Sequence, residues 1–142
     1  MSIAENKALI RRYFEEVWNK GNLDAVDKFY ALDGIDHNAP PGSPPGFDFM
    51  KQFHIMVRAA FPDTQITVED LIAEGDKVVC RFTASGTQQG EFMGISPTGK
   101  QFTIMEIRIY RIVGGKIVEC WGLFDQMGMM QQLGVIPPLG KR

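Results

Sequence analysis

Histidine and cysteine are scarce in this 142-residue chain, with two of each: His37, His54, Cys80 and Cys120. Neither pair has the close spacing with acids or thiols that a zinc or iron site requires, so no metal is expected. The cysteines fall in strand-like segments with no framework pattern, which assigns them to the core as reduced thiols. No run approaches the roughly 18 consecutive apolar residues that span a bilayer. The first residues, Met1 to Lys7, lack the basic-then-apolar order of a secretory leader. A cytoplasmic protein without a membrane partner is therefore expected. With a net charge of −2 and no Lys/Arg cluster, a nucleic acid partner is not expected either. Internal repeats are absent. At this length the simplest organisation is a single domain, residues 1–142, with one core and at most one pocket.

Ser2 followed by Glu5 has the spacing of a capping box. Ile3, Leu9, Ile10, Tyr13, Phe14, Val17 and Trp18 then recur at helical spacing, which predicts a helix from Ile3 to Lys20 that stops at Gly21. Asn22 is placed to cap a second, short helix over Leu23 to Phe29. The stretch Ala39-Pro40-Pro41-Gly42-Ser43-Pro44-Pro45-Gly46 cannot be helix or central strand, because its four prolines lack amide donors and fix the backbone. It reads as a loop, either a plain connection or a lid over a pocket. Phe49, Met50, Phe53, Met56, Val57, Ala60 and Phe61 form a wide apolar stripe, predicting a third helix from Phe47 to Phe61 that ends before Pro62.

Beyond Pro62 the period changes from helix to strand. Thr64 to Ala73, Lys77 to Thr87, Gln101 to Val113 and Lys116 to Phe124 read as four strands, parted by Gly75-Asp76, the Gly90 to Lys100 connection and Gly114-Gly115. Joined in order they predict an antiparallel meander. Helices followed by such a sheet give an α+β domain. If the curved sheet bends around the helices, it forms a cone with an apolar central pocket lined by aromatics and Met, of the kind small molecules occupy.

The chemistry-bearing candidates cluster late in the chain. If the last strand is regular, Ile117, Glu119, Trp121, Leu123 and Asp125 share one mostly apolar side. An acid placed so would have its charged form disfavoured and could pass a proton. Asp125 could equally cap a helix starting at Gln126. Trp121 on that same side and Phe53 in the third helix are candidate pocket walls. His54 lies at the edge of the helix stripe, either a boundary residue or a pocket donor. His37 and Asn38 lead into the proline loop. Glu106 and Arg108 share a face of an otherwise apolar strand and must be neutralised or solvated there. They are either a structural or dimer-interface ion pair or a feature of the pocket wall.

Several phrases together carry a resemblance: Ala60-Phe61-Pro62-Asp63, Glu69 through Val79, Gly90-Glu91-Phe92-Met93-Gly94-Ile95-Ser96-Pro97-Thr98-Gly99-Lys100, and Gly115 through Trp121 with Asp125 and Gln132-Leu133-Gly134. The chain resembles the SnoaL-like polyketide cyclases over nearly its whole length. The resemblance implies the cone shared with nuclear transport factor 2, ketosteroid isomerase and limonene epoxide hydrolase, commonly as a homodimer, here expected through the outer sheet face. It also implies a cofactor-independent intramolecular aldol closure on an apolar, oxygenated small molecule, with Asp125 as the general acid/base. Members commonly carry Gly-Thr-His where this chain has Gly86-Thr87-Gln88, and Gln88 can hydrogen-bond a substrate oxygen but cannot carry a proton. Gln88 and either His37 or Asn38 are the expected donors to the substrate. A non-catalytic binding module of the same fold is one alternative; a cofactor-free hydroxylase or epoxide-hydrolase-like enzyme is the other.

Overall fold

The computed structural model describes residues 2–44 and 46–137. Pro45 of the proline loop, Met1 and residues 138–142 lie outside that range. The capping box forms as expected: Glu5 N donates to Ser2 Oγ at 3.1 Å, and Ser2 N donates to Glu5 Oε1 at 3.0 Å. Helix α1 spans Ile3–Tyr13. It continues as a wider turn over Phe14–Asn19, with Lys20 N donating to the Glu15 carbonyl five residues back. The expected second helix divides into a tight turn, Leu23–Ala25, and α2, Val26–Phe29, and the Asn22 side chain makes no capping bond. Helix α3 runs from Asp48 to Ala60.

The sheet holds five strands rather than four: β1 (Tyr30–Asp36), β2 (Gln65–Glu74), β3 (Lys77–Thr87), β4 (Gln101–Val113) and β5 (Lys116–Phe124), followed by helix α4 (Gln126–Gln132). The order is β1-β5-β4-β3-β2. The four expected strands form the antiparallel meander, but β1 lies parallel against β5, pairing Tyr30 with Ile117 and Asp36 with Cys120. The sheet is therefore mixed. Its missed strand contains Gly34, which packs so close to the Phe47 ring that no Cβ could be fitted there. A glycine needed for this close approach weakens the strand signal in the sequence.

Strand β3 alternates strictly, burying Val78, Cys80, Phe82 and Ala84. Together with Phe102, Ile104, Tyr110 and Ile112 of β4, these side chains face Leu9, Ile10, Tyr13, Phe14 and Val17 of the first helix and Met50, Val57 and Ala60 of α3. The sheet curls around this core without closing.

One irregularity decides what faces where. Ile117 pairs with Ile112 but Glu119 pairs with Arg111, so Val118 is an extra residue in β5. Such a bulge reverses the alternation beyond it. Ile117 and Cys120 are both fully buried, whereas Leu123 is 83% exposed. The regular strand assumed from the sequence, with Ile117 and Asp125 on one side, does not form.

Candidate active site in the cone interior

A cavity of about 70 Å³ opens between the helices and the inner face of the sheet. Its walls are largely aromatic, among them Trp18, Phe53, Phe61, Phe102 and Phe124. The charged groups in the wall are Glu106 and Arg108, neighbours on the inward face of β4. Arg108 Nε lies 3.5 Å from Glu106 Oε1, and both side chains are about 15% exposed or less. Burial raises the Glu106 carboxyl above its ordinary value, and the adjacent Arg108 charge and hydrogen bond offset this only in part.

Cross-strand pairing explains how a guanidinium fits in this wall. Arg108 lies opposite Gly122 of β5, and a Cβ at Gly122 would stand 2.6 Å from Arg108 Cγ. The missing side chain gives the arginine stem its room.

A second set of polar groups braces the helix side. His54, 1% exposed, places Nδ1 2.6 Å from the Met50 carbonyl and Nε2 2.7 Å from the Tyr13 hydroxyl. A carbonyl can only accept, so Nδ1 carries the proton, Tyr13 donates to Nε2, and Trp18 Nε1 donates to the Tyr13 oxygen at 3.0 Å. Burial depresses the His54 pKa to about 4, more than the Met50 hydrogen bond restores. The imidazole is thus neutral at pH 7. Burial also lifts the Tyr13 and Tyr110 hydroxyls above their ordinary values.

The site residues expected from the sequence do not converge on this cavity. Phe53 lines it. His54 stands one layer behind, touching Tyr13 and Trp18 rather than the open space. Gln88 is fully buried but spent on its own loop: its amide nitrogen donates to the Gly90 and Ile95 carbonyls at 3.2 and 3.0 Å, and its oxygen accepts from Thr98 Oγ1 at 2.9 Å. It staples the loop and is not placed to meet a substrate.

His37, Asn38, Trp121 and Asp125 instead share a groove of about 660 Å³ on the outer sheet face with Met105, Ile107 and Leu123. There His37 stacks on Trp121 at 4.8 Å and 2° and pairs through Nε2 with Glu119 at 2.6 Å. Asn38 is bound to the Gly122 backbone in both directions, with Gly122 N donating to its Oδ1 at 2.6 Å. Asp125 is exposed and caps α4, accepting from Gly128 N at 2.9 Å. The desolvation expected for it is absent in the single chain, because the strand bulge turns its side of β5 outward. Phe124 lines both the groove and the interior cavity.

Met129, one of the methionines expected to fill core or line an adaptable pocket, lines the cavity, as do Tyr13, Trp18 and Tyr110, which the sequence did not mark as pocket residues. Helical or strand periodicity marks them as core without separating core from pocket. Glu106 and Arg108 did leave a signal: two charges at i and i+2 in an apolar strand.

A curled mixed sheet wrapped around helices, with an apolar cavity inside, is the cone of the nuclear-transport-factor-2-like proteins. TsrD from Streptomyces laurentii shares it: its structure matches with a TM-score of 0.87 at 29% identity, covering 96% of this chain and 99% of that one. In sequence, the aklanonic acid methyl ester cyclase DnrD of Streptomyces peucetius is 29% identical over 133 residues, 89% of this chain and 88% of its own. The nogalonic acid methyl ester cyclase of Streptomyces nogalater is 30% identical over 123 residues, 82% of this chain and 89% of its own. The family model described as SnoaL-like polyketide cyclase matches residues 8–133. The chain belongs to the SnoaL-like polyketide cyclase family.

Proposed function

We propose that this protein is a polyketide cyclase-type enzyme that closes a ring by cofactor-independent intramolecular aldol chemistry on an apolar, oxygenated molecule held in the cone. The observation that carries the reading is the aromatic interior cavity with a charged pair in its wall, in a chain that aligns almost end to end with two methyl ester cyclases. Aldol closure needs a proton removed beside one carbonyl, the enolate stabilised, and the new alkoxide protonated. At about 70 Å³ the cavity is well below the roughly 300 Å³ of a typical ligand pocket, so a polyketide enters only as walls yield. Met50 and Met129 are the adaptable side chains there.

Asp125 is the proposed general acid/base. It follows Phe124 directly, at the junction of cavity and groove, and reaching a substrate means releasing Gly128 N. A lost N-cap costs about 0.5–2 kcal/mol, small beside what general acid/base catalysis contributes. A homodimer through the outer sheet face would supply the missing desolvation. Met105 and Ile107 are about half exposed there and Leu123 more so, beside Trp121, an apolar surface of the kind that marks an interface. A second copy on this face takes the Asp125 groove out of bulk water.

Asp125→Asn separates chemistry from capping, since Asn caps as well as Asp but moves no proton. With aklanonic or nogalonic acid methyl ester as substrate, kcat should fall by about 10²–10⁴-fold while the melting temperature stays within a degree or so of the parent. Unchanged turnover would remove Asp125 from the mechanism. The binding-module reading is favoured by the exposure of Asp125 and the full commitment of Gln88 to its loop; tight binding of these esters without turnover by the parent protein would establish it instead.

A further inference from the structure

We propose that Glu106 and Arg108 together form an enolising unit: Arg108 receives the carbonyl oxygen of a ketone or 1,3-dicarbonyl compound, and Glu106 accepts the proton from the carbon beside it. The proposal rests on the cone interior being where the ring closes. It divides the proton work, with Glu106 serving the carbon acid inside and Asp125 the alkoxide at the rim.

Geometry gives the first reason. The two side chains are adjacent on the inward face of β4 and both line the cavity, so a carbonyl oxygen on the guanidinium puts its neighbouring carbon toward the carboxylate. Among the described residues the guanidinium has a single ion-pair contact, Nε to Glu106 at 3.5 Å, and its terminal amino groups carry no protein hydrogen bond. Arg brings five N–H donors in a fixed fork. Leaving most of them unused in an apolar cavity is costly unless a ligand or water occupies them.

Charge gives the second. At rest the pair is neutral as a whole, carboxylate beside guanidinium. In the proposed step the C–H bond breaks, its proton joins a Glu106 oxygen, and the electron pair delocalises onto the carbonyl oxygen beside Arg108. The site again holds one cation and one anion, so no uncompensated charge is created where charge is most expensive. The enolate carbon then attacks the second carbonyl, forming the C–C bond, and the alkoxide takes a proton relayed from water by Asp125 at the rim. Glu106 returns its proton to water, so the proton count closes. The reaction is an isomerisation that consumes no oxidant, reductant or co-reactant. The other titratable groups facing the cavity, Tyr13 and Tyr110, stay neutral through burial, and His54 behind them is neutral at pH 7.

A stable enolate arriving from water must break this balance, because it adds an anion beside Glu106. Its binding should therefore take up a proton. The test is calorimetric titration at pH 7.5 in two buffers of different ionisation enthalpy, using 2-acetylcyclohexane-1,3-dione, an enolate at that pH, and cyclohexyl methyl ketone, the same skeleton with one carbonyl. The parent protein should bind the enolate with uptake of about one proton, the change in bound protons that linkage counts. Glu106→Gln should take up none and bind the enolate about ten-fold tighter, since the competing anion is gone. Arg108→Met should lose enolate binding by about ten-fold or more and keep the ketone.

Because a lone buried charge can unfold the chain, the double variant E106Q/R108M, with both charges removed, is the control. It should bind the ketone like the parent and show no preference for the enolate. Equal enolate affinity in parent and double variant, or proton uptake that survives E106Q, overturns the proposal. Turnover is scored separately: an inactive parent with these binding results intact would overturn the cyclase reading and the ring-closing step with it, leaving only the pair's recognition of the enolate.

Discussion

Acidification probes the cone interior through His54. In the unfolded chain this histidine titrates near 6.5, and in the fold near 4. The folded pKa is depressed, so below 6.5 the unfolded state takes a proton that the folded state refuses. The stabilisation is complete above pH 6.5, drains away as the pH falls toward 4, and changes no further below that. The gap of about 2.5 units, at about 1.4 kcal/mol each, is worth on the order of 3 kcal/mol. Other groups act in the same acid range. Glu119, held low first by His37 and then by Arg111, and Asp63, held low by Thr87, lose stabilisation at lower pH. Glu106, raised by burial, acts in the opposite sense. Subtracting a variant isolates the histidine: His54→Gln can still accept from Tyr13 and donate to the Met50 carbonyl but does not titrate. Urea unfolding at half-unit steps from pH 7 to 4 should show the parent losing about 3 kcal/mol more than the variant. Parallel curves would mean that His54 is protonated or wetted in the fold, and the donor-acceptor chain from Trp18 through Tyr13 to His54 would be assigned wrongly.

Gly122→Ala should lower stability by about 1–3 kcal/mol through overpacking against Arg108 Cγ and should weaken enolate-probe binding more than ketone binding; thermal melts and the same titrations check both. Gln88→Ala should untie Gly90, Ile95 and Thr98 from one another, and of these the half-buried Gly90 carbonyl is left without a partner among the described residues, at about 1–3 kcal/mol. Limited proteolysis should then cut within residues 88–100, with ketone-probe affinity unchanged. Leu123→Lys places a charge on the outer sheet face and should convert a dimer to a monomer in sedimentation velocity, with the interior cavity still binding the ketone probe.

The elements easiest to read from the sequence were those with strong periodicity. The capping box at Ser2, the apolar stripe of α3 and the four long strands all announce themselves, since a helix or strand facing one core repeats its apolar residues at its own period. Strand β1 did not, because Asp33 and Gly34 interrupt it and Gly34 is required by the Phe47 ring. The site was harder for one local reason. A single extra residue, Val118, moved Glu119, Trp121 and Leu123 to the opposite face from Ile117, and with them the expected surroundings of Asp125. Nothing in Ile117-Val118-Glu119-Cys120 distinguishes a bulge from a regular strand; only pairing with β4 does. Gln88 is similar: its composition says hydrogen-bond donor and acceptor, but whether it serves a loop or a ligand depends on where Ile95 and Thr98 fold back.

Strand β4 is the partition between two environments. Glu106, Arg108 and Tyr110 point into the cone, while Met105, Ile107 and Ile109 point to the outer groove, and β5 repeats the division through its register. Phe124 lines both. A ligand that overfills the interior cavity presses on its walls, and of those walls Phe124 is the one that also borders the groove. In the dimer proposed through this face, a second copy would back Phe124 from the groove side. On that proposal, occupancy of the outer face and the size of molecule admitted inside would be coupled through this one aromatic ring, beside Asp125 in the same groove.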